Sequence, residues 1–320
     1  MRRSGGAEVS YRPATAVDMR TIVGGVALPA PILTASGTAG HGSELAAYGD
    51  LGALGAVVVK SLSVDAWAGN PAPRVHATRA GMINAVGLQG PGIAAWREHD
   101  LPPMLRAGAR VVGSIWGQRV DDYRRAAEAM AGAPGVIAVE VNISCPNLED
   151  RRHMFAHSTS ATADAVGAAV EGLAGLPAWV KLSPNVADLP SIAAAAAEAG
   201  AAAVVLCNTV LGMALDVRTR KPVLANGGGG YSGVGVHPVA VRAVWDVHGA
   251  LPDLPIVGVG GVLDGEGAAE LLLAGASAVE VGTATFAEPR ACWRIQAELA
   301  AFCAAEGIAA VRELVGSAHR

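Results

Sequence analysis

The chain has 320 residues, enough for one large barrel or two ordinary domains. Hydrophobic residues make up 52% and charged residues 16%, which affords a sizeable core and excludes an intrinsically disordered protein. A net charge of −4 offers no basic field for nucleic acid or an anionic membrane surface. Mean hydropathy is high at +0.37, yet no run of ~18 or more apolar residues escapes Gly, Pro or charge, so no transmembrane helix is expected.

Residues 1–20 carry Arg2, Arg3 and Arg12 and no apolar signal-peptide core, and read as a flexible tail. Residues 21–320 read as one domain, because no low-complexity linker or composition shift divides them. The cysteines are Cys145, Cys207, Cys292 and Cys303. None forms a C-x-x-C pair, so no metal site is expected, and their wide spacing suits reduced thiols in a cytoplasmic protein.

"GVALPAPIL" (25–33) suggests a short hairpin closing the bottom of the fold. Eight β-branched runs follow: "ILTA" (32–35), "AVVVK" (56–60), "RVVGSI" (110–115), "VIAVEVN" (136–142), "AWVKL" (178–182), "AVVLCN" (203–208), "IVGVG" (256–260) and "AVEVG" (278–282). Ala-rich helical stretches lie between them, at 121–132, 159–173, 190–199, 237–248, 264–274 and 289–305. Near-continuous apolar strands are what a sheet buried on both faces needs. Eight strand–helix alternations match a (β/α)8 barrel better than a doubly wound sheet.

In such a barrel the functional residues sit at the C-terminal strand ends. There the sequence delivers Ser36, Gly37 and Thr38, then Lys60 and Ser61, Ser114, and Asn142, Ser144 and Cys145. It continues with Lys181, Asn208 and Thr209, Gly260 and Gly261, and Gly282 and Thr283. The glycine turns "GVGGV" (258–262) and "VGTAT" (281–285) follow the last two strands. Taken singly they are tight turns. Together, after strands seven and eight, they suit a phosphate-bearing ligand. Lys60 and Lys181 each close an apolar strand, where a lysine either snorkels to solvent or meets an anion. Two of them above a phosphate site favour ligand contact, and burial also leaves a Schiff-base role open.

"GMINAVGLQGPG" (81–92) is too rich in Gly and Pro for a helix and sets Asn84 beside open backbone N–H groups, suited to a carboxylate or imide. Asn142, Asn208 and Thr209 suit a planar ring with alternating donors and acceptors, or equally cap turns. The stretch 208–236 is too long for a structureless loop, so it is functional or folded on itself. Its "GGGG" (227–230) offers backbone to a ligand or acts as a hinge.

A lone buried cysteine is more often packing than chemistry, and Cys207, inside a strand run, fits that description. Cys145 differs because Pro146 ends its strand at once and leaves the thiol on a loop. His153 and His157 follow, but without an oxyanion-hole motif a Cys–His nucleophile ranks low.

"VNISCPN", "GMINAVGLQGPG", "WVKLSPN", "CNTVLGMALDVRTRKPVLAN", "VGVGGV" and "VGTATF" together resemble the class 1 dihydroorotate dehydrogenases, and the class 1B branch most closely. The likeness runs from about residue 20 onward. It implies a (β/α)8 barrel holding FMN and converting dihydroorotate to orotate in pyrimidine biosynthesis. Cys145 matches the base that removes the C5 proton, Ser144 its relay, and Lys60 the lysine touching flavin and substrate. Asn84, Ala85, Val86, Gly87 and Leu88 match the substrate loop, and Asn142, Asn208 and Thr209 the ring contacts. Ser36, Lys60, Ser61, Ser114, Asn142, Lys181, Cys207, Gly233, Gly260, Gly261, Gly282 and Thr283 match the flavin contacts, with Lys181 at the N1–O2 edge. The family usually has Asn at Ser114, Asn at Gly90 and Lys at His237, and a glycine-bearing lid where this chain reads "LEDRRHMFAHS".

The resemblance also implies a homodimer, and a separate flavin and iron–sulfur subunit that passes electrons to NAD. This chain has neither a cysteine cluster nor a G-x-G-x-x-G after a strand to do so itself. The runner-up is a related FMN barrel acting on another dihydropyrimidine or cyclic amide, such as a dihydropyrimidine dehydrogenase-like protein or a specialised paralogue. A flavin-free Schiff-base lyase and a non-catalytic binding barrel are the rivals from other classes.

Overall fold

The computed structural model describes residues 17–144 and 154–320. Eight parallel strands close into a barrel in chain order: β1 Ile32–Thr34, β2 Ala56–Val58, β3 Val111–Ile115, β4 Val136–Asn142, β5 Ala178–Lys181, β6 Ala203–Leu206, β7 Ile256–Val259 and β8 Ala278–Val281. Each pairs with its sequence neighbour, and β8 pairs with β1 to seal the ring. The fold is thus the expected single (β/α)8 barrel, with every strand within two residues of its predicted bounds.

The period-two alternation of a strand explains the interior. Leu33, Ala56, Val58, Val112, Ala138, Trp179, Ala203, Val205, Val257, Val259 and Ala278, drawn from all eight strands, form a cluster of their own inside the barrel. The alternate set, including Ile32, Val57, Val111, Val139, Val180, Val204, Ile256 and Val279, packs outward against the helices. Small residues around one Trp fill the lower barrel, as close packing demands.

The hairpin Thr21–Val23/Val26–Leu28 plugs the bottom through Val23 and Leu28, which join the inner cluster. Its turn needs glycine: Gly24 has φ +53°, and a Cβ there would stand 2.7 Å from the Ala202 carbonyl oxygen. Residues 1–16 of the expected tail lie outside the described residues. Asp18 is docked on the C-terminal region, its N–H donating to the Ala309 carbonyl at 2.9 Å and its carboxylate held by Arg20 and Arg312.

The outer helices include Val120–Met130, Thr159–Gly172, Leu189–Glu198, His237–Ala250, Gly265–Leu273 and Ala291–Ala305. Asp188 and Asp264 cap two of them, accepting from Ser191 N at 3.2 Å and Gly267 N at 2.8 Å. Each such cap stabilises its helix by about 1 kcal/mol. No helix among the described residues is long and apolar enough to cross a membrane.

The sequence does not announce a four-stranded antiparallel sheet that overhangs the C-terminal rim. Its order is Val210–Gly212, Gly229–Ser232, Gly81–Asn84, Val75–Thr78. The stretch 208–236 is therefore folded on itself: its own strands pair together, and Gly229–Ser232 adds to the strand that carries Asn84.

Candidate active site

A cavity of about 1340 Å³ lies between the strand ends and the overhanging sheet. Lys60, Ser36, Ser61, Asn142, Ser144, Lys181, Cys207, Asn208 and Thr209 line it from the barrel side. Gly233, Gly260, Gly261, Gly282 and Thr283 line it from the turns after the later strands, and Asn84, Ala85, Val86, Gly87 and Leu88 from the sheet. Of the residues singled out from sequence, Ser114 does not line the cavity, and Cys145 lies outside the described residues with the adjoining segment up to His153.

The charged floor follows from the same alternation that builds the apolar interior. Two residues beyond Val112, Ala138, Trp179 and Ala278 come Ser114, Glu140, Lys181 and Glu280, on the inner face one layer up. Lys181 Nζ donates to Glu140 Oε2 at 3.3 Å, Glu280 Oε2 at 3.2 Å and Ser36 Oγ at 3.2 Å. All three ammonium hydrogens are thereby used. Burial works against the Lys181 charge, but the two carboxylates outweigh it and hold its pKa above the ordinary lysine value. Burial pushes the Glu280 carboxyl up to about 8, against the pull of Lys181. Glu280 Oε1 has no hydrogen-bond partner among the described residues.

From Glu140 a chain of hydrogen bonds crosses the floor. Ser114 Oγ donates to Glu140 Oε1 at 3.1 Å and lies 2.9 Å from Ser61 Oγ, which accepts from Asn142 Nδ2 at 3.0 Å. Asn142 Oδ1 accepts from Ser144 Oγ at 2.7 Å, and Ser144 Oγ in turn accepts from Asn208 Nδ2. Asn208 Oδ1 accepts from Thr209 N at 2.8 Å. Ser114 is fully buried beneath the cavity because β3 continues to Ile115 before reaching the rim. A hydroxyl here reaches only Glu140 and Ser61. Fixing each amide through its neighbour leaves the remaining donors and acceptors facing the cavity in a set orientation.

Cys207 lines the cavity as a thiol, since burial pushes its pKa up to about 12 although Lys181 pulls it down. Cys292 is likewise buried, raised to about 12 and inert.

Glycine shapes the opposite wall. At Gly261, φ +68°, a Cβ would lie 2.7 Å from His237 N, and at Gly260 one would lie 2.6 Å from Ala240 Cβ. Side chains are thus excluded where the turn after β7 meets the start of the helix His237–Ala250, whose N-terminal end favours an anion. A cavity of this volume with this glycine wall, two lysines and a row of fixed amides fits a flavin with a terminal phosphate.

The loop after Asn84 is held in place from one side. Asn70 Nδ2 donates to the Ala85 carbonyl at 2.9 Å, Asn70 N to the Val86 carbonyl at 3.0 Å, and Trp67 Nε1 to the Gly87 carbonyl at 3.0 Å. Gly87 and Leu88 both adopt positive φ, +74° and +60°, the second unusual for a residue with a side chain.

Sequence reasoning missed three features. Glu140 and Glu280 carried a signal, each being the single charge within an apolar strand run. Trp116, which lines the cavity and meets Trp67 edge-on at 5.7 Å, carried none. Neither did the Trp67–Asn70 strap.

A closed (β/α)8 barrel with its polar and charged groups gathered at the C-terminal strand ends is the architecture of a barrel enzyme. The family model for dihydroorotate dehydrogenase matches residues 19–303. The chain is 48% identical over 298 residues, 93% of its length and 96% of the relative's, to the dihydroorotate dehydrogenase B (NAD(+)) catalytic subunit of Desulforudis audaxviator. It is 44% identical to the proteins of the same name from Geobacter sp. strain M21, over 94% of this chain and 98% of the relative, and from Bacillus pumilus, over 91% and 94%. The chain belongs to the dihydroorotate dehydrogenase family.

Proposed function

We propose that the chain oxidises dihydroorotate to orotate in pyrimidine biosynthesis, with FMN held in the barrel mouth. The observation that carries this is the convergence, in a member of this family, of both rim lysines, the amide row and the Asn84–Leu88 loop on one cavity. Relatives at 42–48% identity over nearly their whole length carry the dihydroorotate dehydrogenase name, which disfavours another dihydropyrimidine as substrate.

In this reading Gly233, Gly260, Gly261, Gly282 and Thr283 hold the phosphate end, and Ser36, Ser61, Lys60, Lys181 and Cys207 surround the ring. When bound, FMN supplies the acceptor for the hydride that leaves C6 of the substrate. Lys181 places positive charge where negative charge develops on reduction. The substrate carboxylate takes Lys60 and backbone N–H groups from the 86–88 part of the loop, since the Ala85 N–H is already bonded to the Arg74 carbonyl. Asn142, Asn208 and Thr209 orient the pyrimidine ring in the plane of its amides. Cys145 removes the C5 proton, with Ser144 conveying it outward, so that proton and hydride leave adjacent carbons and a C–C double bond remains. Removing that base by Cys145→Ser lowers the rate of flavin reduction by about 10²–10⁴-fold, because a hydroxyl is too weak a base at neutral pH.

Ser114 belongs beneath this site: it orients Glu140 and Ser61 and does not touch the ring. The relatives are called catalytic subunits and their name includes NAD(+). In this reading electrons pass from this chain to NAD through a separate subunit, for which the family resemblance suggests flavin and iron–sulfur centres, and the catalytic chain acts as a homodimer.

Anaerobic mixing of the FMN-loaded protein with dihydroorotate tests the reading. Bleaching of the flavin band, and its perturbation by orotate, are expected. A flavin that neither bleaches nor responds to millimolar orotate sinks the substrate assignment.

A further inference from the structure

Among the described residues, one of the three charged groups buried in the barrel interior reaches the cavity. Lys181 lines it; Glu140 and Glu280 do not, and stand beneath the ammonium on either side. Both carboxylate side chains are fully buried and Lys181 is 5% exposed. One carboxylate suffices to balance one ammonium. With both ionised, the cluster carries a net charge of −1 in a site that water does not reach, which is costly. Protonation of one carboxyl removes that cost.

The geometry says which one. Glu140 has both oxygens engaged, Oε1 by Ser114 and Oε2 by Lys181. Glu280 is engaged only through Oε2, and its Oε1 is unpartnered. Hydrogen bonds to the charged form favour that form, so the less bonded Glu280 is the carboxyl that takes the proton. From β7 and β1, the strands flanking β8, the residues in register with Glu280 are Val259 and Leu33, neither of which titrates. Of the other groups, Cys207 stays a neutral thiol and Lys60 stands at the rim.

We propose that Glu280 is a positioning residue that carries a proton beside Lys181 and thereby sets the charge Lys181 presents to a ring bound above it. This rests on the reading that FMN occupies the cavity. With the proton in place the triad is neutral and Lys181 supports a negative charge on the reduced ring. Without it the extra carboxylate opposes that charge. Reduction therefore draws a proton onto Glu280 in the pH range where it is ionised.

The test compares the FMN-loaded wild-type chain with Glu280→Gln, reading the midpoint potential and the affinities for oxidised and reduced FMN from pH about 6 to about 10. In the wild type the preference for reduced over oxidised FMN falls by about tenfold or more as Glu280 ionises. In Glu280→Gln that step is absent. In Glu140→Gln the step moves below neutrality, because Glu280 becomes the sole counter-ion of Lys181. Infrared spectra of the wild type provide a reading that needs no variant. A buried carboxylic acid band is present at neutral pH and lost as pH rises through about 8. Wild-type and Glu280→Gln curves that coincide, or a wild type without the acid band at neutral pH, overturn the proposal. A chain that takes up no FMN at all overturns the functional reading instead.

Discussion

The barrel floor and the sheet that overhangs it face the same cavity but are built on opposite principles. The floor is rigid because each polar group is bonded to the next within a closed ring of buried strands. The overhang is a partly exposed antiparallel sheet whose strands come from residues 75–84 and 210–232 and meet through glycine backbone. The floor can only be broken at large cost; the overhang can be adjusted cheaply. In a site that holds a cofactor permanently and a substrate transiently, that division separates binding of one from selection of the other. Substitutions on the two sides should therefore fail in different ways.

The largest effect is expected in the floor. Lys181→Met leaves Glu140 and Glu280 buried without their cation and destabilises the protein by about 3–5 kcal/mol in urea unfolding, with loss of flavin. A cost below about 1 kcal/mol would show that the carboxylates find another partner and that the floor is not a unit.

In the overhang, Gly229→Ala drives a Cβ into the Asn84 carbonyl oxygen, so the strand carrying the substrate loop must shift. We expect KM for dihydroorotate to rise about 10–100-fold while flavin content stays full, since a displaced polar contact costs about 1–3 kcal/mol. Equal losses of flavin and substrate affinity would erase the distinction between the two regions.

The pH dependence of stability belongs to the floor alone. The Glu280 carboxyl is raised from the ordinary 4.5 to about 8 in the folded chain. A raised pKa means that the folded state binds the extra proton, so the stabilisation is present at acid pH and is lost as pH rises toward 8. The unfolding free energy of the wild type relative to Glu280→Gln should fall by up to about 1.4 kcal/mol per pH unit between about 5 and about 8, and level off above. A flat difference would mean that Glu280 is ionised throughout.

The two regions were also unequally legible in the sequence, for the same physical reason. A strand buried on both faces must be apolar throughout, so "AVVVK" and "VIAVEVN" declare themselves locally. The overhanging strands have no such demand. "VHAT" (75–78) is exposed over most of its length, and "GGYS" (229–232) is held by pairing with Gly81–Asn84, nearly 150 residues earlier. Local composition does not carry that pairing. Within the barrel, the rim residues Lys60, Lys181 and Asn142 were readable because strand ends are where polarity gathers. Glu140 and Glu280 were equally visible as lone charges in apolar runs. They escaped notice because their side chains, unlike that of Lys181 in the same layer, do not reach the cavity, and Ser114 of that layer stays buried beneath it as well.

The smallest expected effect examines the strap beneath the substrate loop. Trp67 is tied to Gly90 by two backbone hydrogen bonds, at 2.9 and 3.0 Å, and to Gly87 by its indole N–H. Trp67→Phe keeps the backbone pair and an aromatic ring against Trp116, and removes only the bond to the Gly87 carbonyl. One neutral hydrogen bond contributes about 0.5–1.5 kcal/mol, so KM for dihydroorotate should rise roughly 2–10-fold with kcat and flavin content unchanged. The positive φ of Gly87 and Leu88 gives this small change its meaning. A backbone held in that conformation reverts when its restraints are loosened, and the loss should then appear in substrate affinity before it appears in stability. An unchanged KM would show that Asn70, which bonds Ala85 and Val86, fixes the loop without help from Trp67.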